Sequence, residues 1–258
     1  MRPFLGIATL DVLGFAELLH RESYSQKLKT YIDTINEVIR PSHVKVECVV
    51  FSDSVVLTSS GDTEESFNGL ITACSATFYE LVMCDMPVRG AIAFGRYWRE
   101  ASAGSVFLAG RPIVEAYRCE RSQKWVGSIL CSSVLHKRDG LALTTALSEI
   151  TGVDDSDLNV ALRLQPATLP FQEYAGASLG QLSGYAIVPL QPDQSPRQAH
   201  RAVHRVRQKL EDLRLKAPDP AAQAKYTATL TWLEDVESRM KDLTQLLPAP
   251  AVKRASGR

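Results

Sequence analysis

Short apolar, strand-like runs alternate with longer helical segments over the first 135 residues, and this order restricts the chain to few fold classes. The order is β-α-β-β-α-β-α-β, with one helix predicted over 15–40, before Pro41, and another over 63–85. Such an order is typical of ferredoxin-like or palm-type α+β domains, in which a mixed sheet carries helices on one face. We therefore predict a fold of this class.

The rest of the chain follows a different pattern. From about 140 to 190 the periodicity weakens, and only the segment "SGYAIVPL" predicts a further strand. Two helical segments around the turn "APDP" then predict a C-terminal helical hairpin over 197–245. We accordingly predict a main domain over 1–190, the hairpin, and a disordered tail over 246–258.

Composition excludes several classes of protein. An apolar share of 45% and a charged share of 22% are ordinary for a globular protein, and 29 basic residues balance 29 acidic ones. No global field therefore attracts nucleic acid or an anionic membrane. The apolar N-terminal run is interrupted by Asp11, which argues against a signal peptide, and the five cysteines lack zinc-ligand spacing. We expect a cytoplasmic protein with reduced cysteines, no nucleic-acid partner and no membrane insertion.

Two apolar strands each lead into a single carboxylate. "FLGIATLD" ends at Asp11, and "VVFSDSVVLTS" carries Asp53 at the tip of a predicted hairpin. If the two strands are neighbours in one sheet, the carboxylates converge, and paired carboxylates suit a hard divalent cation. The alternative is that Asp53 is a turn residue that bonds its own backbone.

Four segments, taken in order, resemble the catalytic domain of class III nucleotidyl cyclases. They are "DVLGF" at 11–15, "FSDS" around Asp53, "VRGAIAFG" at 88–95 and "FLAGRPIVEAYR" at 107–118. The resemblance covers residues 4–135, about half of the chain, and implies a palm-type cyclase fold with the catalytic domain over 1–190. It also implies a nucleoside triphosphate substrate.

The resemblance implies roles for the first two segments. Asp11, Asp53 and the carbonyl of Val12 would hold two Mn²⁺ or Mg²⁺ ions per active site, which makes both carboxylates catalytic. Backbone amides at the start of the first helix would contact the phosphates of the nucleotide. These amides belong to Val12, Leu13, Gly14 and Phe15.

The resemblance also implies a catalytic arginine and a homodimer. Arg118 or Arg89 would stabilise the oxygens of the transition state, and the alternative for each is a surface ion pair. The two active sites would lie at the dimer interface. The metal-binding aspartates would come from one protomer and Arg118 from the other.

Three positions depart from the pattern of adenylate cyclases. Val49 and Phe107 stand where those enzymes keep polar residues that read the base, and Val114 stands where they keep a transition-state Asn. A polar edge of the base that is left without a hydrogen bond costs about 1–3 kcal/mol, so apolar residues at these positions do not favour adenine. Phe107 would fill space that the second ring of a purine needs. A pyrimidine fits this interpretation better, with Val49 and Phe107 beside the base.

A narrower resemblance concerns "EAYRCERSQKW" together with the strand segments. These look like the pyrimidine cyclases of bacterial Pycsar antiphage systems, whose cyclic nucleotide product activates an effector protein. The resemblance implies conversion of UTP, or alternatively CTP, to the 3′,5′-cyclic monophosphate. Two alternatives remain: a purine cyclase with an atypical base pocket, and a catalytically silent nucleotide-sensing or dimerisation module. Retention of both aspartates favours an enzyme.

Overall fold

The computed structural model describes residues 4–20, 23–40, 46–102, 105–137, 162–172, 178–192 and 194–246. The predicted tail, from 247 onward, lies outside these residues. The elements in chain order are β1 (Phe4–Val12), α1 (Phe15–Leu19), α2 (Tyr24–Ile39), β2 (Val46–Phe51), β3 (Ser54–Ser59), α3 (Glu64–Met83), β4 (Val88–Ser102), β5 (Ser105–Gly110), α4 (Arg111–Ser122), β6 (Gly127–Leu130), α5 (Ser132–Lys137), β7 (Leu164–Phe171), β8 (Gly180–Ile187), α6 (Pro196–Lys216) and α7 (Pro220–Leu246).

One mixed sheet organises the described part of the chain. Its strand order is β2-β3-β1-β4-β6-β8-β7, and every neighbouring pair is antiparallel except β4 and β6. The second half of β4 leaves this order and pairs with β5, from Tyr97 opposite Gly110 to Ser102 opposite Ser105. This two-stranded extension is called the arm below. The predicted palm-type α+β fold is confirmed.

Helices lie on both faces of the sheet. A Cβ atom on Gly6 of β1 would meet Leu70 and Phe67 of α3 at 2.8 and 2.9 Å, so Gly6 faces α3. The next residue, Ile7, packs with Tyr97 and Ile113, the latter on α4. Because successive side chains of a strand point to opposite faces, α3 and α4 cover opposite sides of the sheet. The α2 and α6 helices pack against α3, whereas α4 departs from the predicted one-face arrangement.

Some element boundaries differ from the prediction. The segment predicted as one helix over 15–40 forms two helices, α1 and α2. The last strand of the predicted order, which falls on "GSILCSSVL", ends at Leu130, where α5 follows. The β7 strand was not predicted, because Pro166 and Pro170 interrupt its apolar pattern. Proline lacks an amide donor and is tolerated in edge strands, and β7 is the terminal strand of the sheet order.

The C-terminal hairpin shares the hydrophobic core of the sheet. Trp232 of α7 packs edge-to-face on Trp125, with 5.9 Å between ring centroids. Buried residues of α6 and α7, among them Val203, Val206 and Leu233, belong to the same cluster as the sheet residues. The domain boundary at 190 remains a prediction. None of the helices in the described ranges combines the length and apolar character that a membrane span requires.

Gly90 tests how tightly the centre of the sheet is packed. A Cβ atom there would lie 2.6 Å from the carbonyl oxygen of Thr9 and 2.7 Å from Ser128 Oγ. Because a backbone atom cannot move aside cheaply, Gly90→Ala should lower the free energy of unfolding by about 1–3 kcal/mol. Urea denaturation measures this change.

Gly69 of α3 provides the matched control, since a Cβ atom there meets nothing within 4 Å. Gly69→Ala should leave stability unchanged or raise it by up to about 1 kcal/mol, because alanine favours helix over glycine. Equal effects of the two substitutions would contradict the tight packing of Gly90.

Candidate active site

Asp11 and Asp53 lie at the same end of the sheet, Asp11 near the end of β1 and Asp53 at the tip of the β2–β3 hairpin. This end of the sheet, with Asp11 and Asp53, is called the aspartate edge below. Asp11 lies near the end of β1 opposite Ser54, the first residue of β3. The amide of Val12 donates a hydrogen bond of 3.0 Å to the carbonyl of Asp53. Burial raises the pKa of the Asp11 carboxyl, Arg89 opposes this shift, and the negative charge of Asp53 adds to it. The two carboxylates are therefore close enough to repel each other.

Arg89 links Asp11 to α4. It stands opposite Asp11 on β4, and its Nη2 atom donates to Asp11 Oδ2 at 3.2 Å and to Glu120 Oε1 at 3.1 Å. The Glu120 side chain is only 5% exposed, and burial raises its pKa to about 7 against the opposing effect of Arg89. Sequence reasoning missed Glu120. Its partner lies 31 residues away and reaches it only through the packing of α4 on the sheet.

The donor atoms at this edge fit a divalent cation. Carboxylates and carbonyls are the oxygen ligands that Mg²⁺ and Mn²⁺ prefer, and a cation relieves the repulsion between Asp11 and Asp53. Arg89 engages one oxygen of Asp11, which leaves Oδ1 and the Asp53 carboxylate as donors. Within the described ranges, no group of three or more His, Cys, Asp or Glu side chains forms a metal cluster. The two aspartates with the Val12 carbonyl are the candidate donor set.

Two of the four amides predicted to contact phosphate are already used by the fold. Val12 donates to Asp53, and Leu13 donates to the carbonyl of Pro87 at 2.9 Å. Gly14 turns the chain with a φ of 74°, in the left-handed region that glycine tolerates. Phe15 is buried against Tyr31, with ring centroids 5.7 Å apart. Among the described residues, only the Gly14 and Phe15 amides of this set lack a protein acceptor.

The second functional surface is a cavity on the α4 side of the sheet. It has a volume of about 1720 Å³ and lies between α4, the arm and the residues after β6. Arg118 is exposed and lines this cavity with Val114 and Tyr117, whereas neither Asp11 nor Asp53 does. The structure thus groups Arg89 with the aspartates and leaves Arg118 on a separate surface of the same chain.

The predicted base-reading positions lie on different strands. Val49 is partly buried on β2, and Phe107 on β5 is 58% exposed. An ion pair of 2.9 Å between Glu47 and Arg99 connects β2 to the β4 strand of the arm. Leu108 packs with the Ile7 cluster, and Phe107 is on the other side of the strand. Within a single chain, Phe107 is therefore open to a ligand or a second protomer.

Glu115, next to Val114, has a structural partner. Its Oε1 atom accepts hydrogen bonds from the amide of Ser133 at 3.1 Å and from the hydroxyl of Ser132 at 3.3 Å. These bonds satisfy donors at the start of α5. Glu115 is therefore engaged in holding the start of α5.

Comparison with known proteins bears on this fold. No protein-family model matches the sequence, and no curated protein is significantly similar to it. Solved structures do match. One is the guanylyl cyclase Cya2, at 12% identity over 75% of this chain and 98% of that chain, with a TM-score of 0.50. Another is the adenylyl cyclase CyaB from P. aeruginosa, at 11% identity over 76% and 98%, with a TM-score of 0.51. The chain has the fold of a nucleotidyl cyclase domain. At such low identity this likeness establishes the fold alone.

The buried carboxyl of Glu120 makes stability depend on pH. Its pKa is about 7 in the folded protein against an ordinary 4.5, so the folded state binds this proton more tightly than the unfolded chain. Between those pH values the contribution of Glu120 to stability falls as pH rises. We therefore compare the free energy of unfolding of the wild type with that of Glu120→Gln. The wild-type value relative to the variant should fall from pH 4.5 to about pH 7. Urea titrations at several pH values measure it.

Glu37→Gln is the control, since Glu37 is exposed on α2. It reports the effect of the same chemical change at an exposed position. A difference for Glu120→Gln that does not fall between pH 4.5 and about 7 would contradict the raised pKa of Glu120.

Proposed function

We propose that the protein is a nucleotidyl cyclase, which converts a nucleoside triphosphate to the 3′,5′-cyclic monophosphate and pyrophosphate. The observation that carries this proposal is the convergence of Asp11 and Asp53 at one sheet edge, in a chain with a cyclase fold. Two carboxylates at such an edge are needed for metal-assisted phosphoryl transfer and are not needed for the packing of the strands.

The chain supplies groups for each part of the reaction. The ribose 3′-hydroxyl forms a bond to the α-phosphorus and loses its proton, and the bond from that phosphorus to the pyrophosphate oxygen breaks. Mn²⁺ or Mg²⁺, two per site and held by Asp11, Asp53 and the Val12 carbonyl, supplies Lewis-acid activation and charge neutralisation when bound. Arg89 has a second partner in Glu120, which holds the guanidinium beside the site when Asp11 engages a cation. Arg89 can then face phosphate oxygens.

A homodimer would complete the active site. Arg118 lines the α4 cavity, apart from the aspartates of its own chain, so a site that uses both takes them from two copies. Large apolar side chains of the arm are also exposed, namely Trp98 at 48%, Val106 at 49% and Phe107 at 58%. A two-fold dimer that seats the aspartate edge of one copy on the α4 cavity of the other builds two such sites.

The base is proposed to be a pyrimidine, with UTP favoured over CTP. This part rests on the apolar residues Val49 and Phe107, and on the sequence resemblance to pyrimidine cyclases of Pycsar antiphage systems. By that resemblance the enzyme acts in the cytoplasm during phage infection. Its cyclic nucleotide would activate an effector protein.

The product assay tests the function and names the base. Purified protein is incubated with Mn²⁺ and each of ATP, GTP, CTP and UTP in turn, and products are identified by mass spectrometry. Cyclic UMP or cyclic CMP is the expected product. Cyclic AMP or cyclic GMP would overturn the assignment of a pyrimidine, and absence of any cyclic product would favour a silent module.

Asp53→Ala tests the metal-binding role directly. Turnover should fall at least about 100-fold, the scale of loss when a group that stabilises transition-state charge is removed. Stability should change little, because Asp53 is partly exposed at a hairpin tip. Asp62→Ala, which removes an exposed aspartate from the loop after β3, is the control and should keep full turnover. Unfolding of Asp53→Ala, or unchanged turnover, would reassign Asp53 as a turn residue.

Mixing two inactive variants tests whether the site is shared between protomers. Asp53→Ala and Arg118→Ala should each be inactive alone. Random exchange of subunits places both lesions in one site of each mixed dimer and leaves its other site intact, so about a quarter of wild-type activity should return. No recovery after subunit exchange would indicate that each site lies within one chain.

A further inference from the structure

The C-terminal helix α7 is hydrogen-bonded to the residue that precedes β6. Thr229, fully buried on α7, accepts a hydrogen bond of 2.9 Å from the amide of Val126 and donates one of 2.8 Å to the carbonyl of Val126. The next residue, Gly127, stands opposite Arg89, which stands opposite Asp11. The helix is therefore attached at the start of β6, two strands from Asp11 in the sheet.

Lys225 lies one helical turn before Thr229 and is partly buried. Burial lowers the pKa of its ammonium, and the positive charges of Arg89 and Lys124 lower it further. The carboxylates of Asp219 and Asp11 oppose this shift, so groups of both signs lie near Lys225. In the described part of the chain, no carboxylate or carbonyl accepts a hydrogen bond from the Lys225 ammonium. The pKa is lowered despite these carboxylates, so a further anion would stabilise the partly buried ammonium.

The cations near Lys225 also favour binding of an anion. Lys124 is partly buried and lines the α4 cavity, and its ammonium has no ion-pair partner among the described residues. Arg121 is exposed, lines the same cavity and is close enough to Asp11 to affect its pKa. Arg89 is the member of this group that forms ion pairs in the described ranges. Positive charge thus accumulates near Asp11.

We propose that Lys225, together with Lys124, binds the terminal phosphates of the nucleoside triphosphate, so that the C-terminal hairpin supplies part of the substrate site. This inference rests on the proposed function. Negative charge develops on the pyrophosphate as it leaves, and ammonium groups act on phosphate as point charges. The hairpin is then a component of the active site as well as a support for the core.

Binding of inorganic tripolyphosphate with Mn²⁺ tests this site without requiring turnover. Isothermal titration calorimetry on the full chain should show binding by the wild type and an increase of at least about tenfold in Kd for Lys225→Met. Methionine keeps the apolar stem of the side chain, so packing is retained while the charge is lost. Lys225→Arg keeps the charge and should bind within about threefold of the wild type.

Lys241→Met is the matched control, because Lys241 is exposed on the same helix about 24 Å from Lys225 at 1.5 Å per residue. It should bind as the wild type does. In the nucleotide assay, Lys225→Met should raise KM for the triphosphate at least about tenfold, and Lys241→Met should not. A structural role alone would lower thermal stability and leave tripolyphosphate binding by the folded protein unchanged.

The outcomes separate this inference from the function on which it rests. Equal binding by Lys225→Met and the wild type, or no binding of tripolyphosphate by the wild type, overturns the inference even if cyclic nucleotide is formed. Binding that depends on Lys225, without cyclic product from any nucleotide, supports the phosphate site and overturns the cyclase function.

Discussion

The ion pairs of Arg89 connect the parts of this structure that matter for function. One guanidinium nitrogen binds Asp11 of β1 at 3.2 Å and Glu120 of α4 at 3.1 Å, and Arg89 itself belongs to β4. All three side chains are largely shielded from water, where an unpaired charge would be strongly unfavourable. The pairing therefore holds α4 against the sheet and keeps the Asp11 carboxylate at the edge where Asp53 arrives.

This arrangement places different chemistry on two surfaces. The aspartate edge collects Asp11, Asp53 and Arg89, whereas the α4 cavity carries apolar side chains and further cations, namely Arg118, Arg121 and Lys124. Carboxylates repel each other and attract cations, and nearby cations such as Arg89 attract anions, so the edge is suited to a metal-bound phosphate group. The attachment of Thr229 to Val126 brings the C-terminal hairpin into the same region.

Local patterns account for the part of the site that sequence reasoning found. Asp11 and Asp53 follow recognisable strands, and a hairpin places its tip beside the end of a neighbouring strand for geometric reasons. Arg89 was a candidate for stabilising the transition state, but its pairing with Asp11 spans 78 residues and was not predicted. Glu120, Lys124 and Lys225 carry no local signal, since their significance comes from neighbours on other elements. The β7 strand was missed for a related reason, because its prolines are acceptable only at the edge position that the sheet assigns to it.

The sequence by itself determined the alternation of strands and helices, the presence of two strand-end carboxylates and the helical character of the C-terminal segment. Each of these depends on side-chain periodicity or on residues next to one another in the chain. Only the tertiary structure decided that α4 lies opposite α3, that Arg118 is apart from the aspartates, and that α7 is hydrogen-bonded to Val126. These relations depend on which faces of distant elements pack together, and that choice is made by burial of the whole core rather than by any one segment.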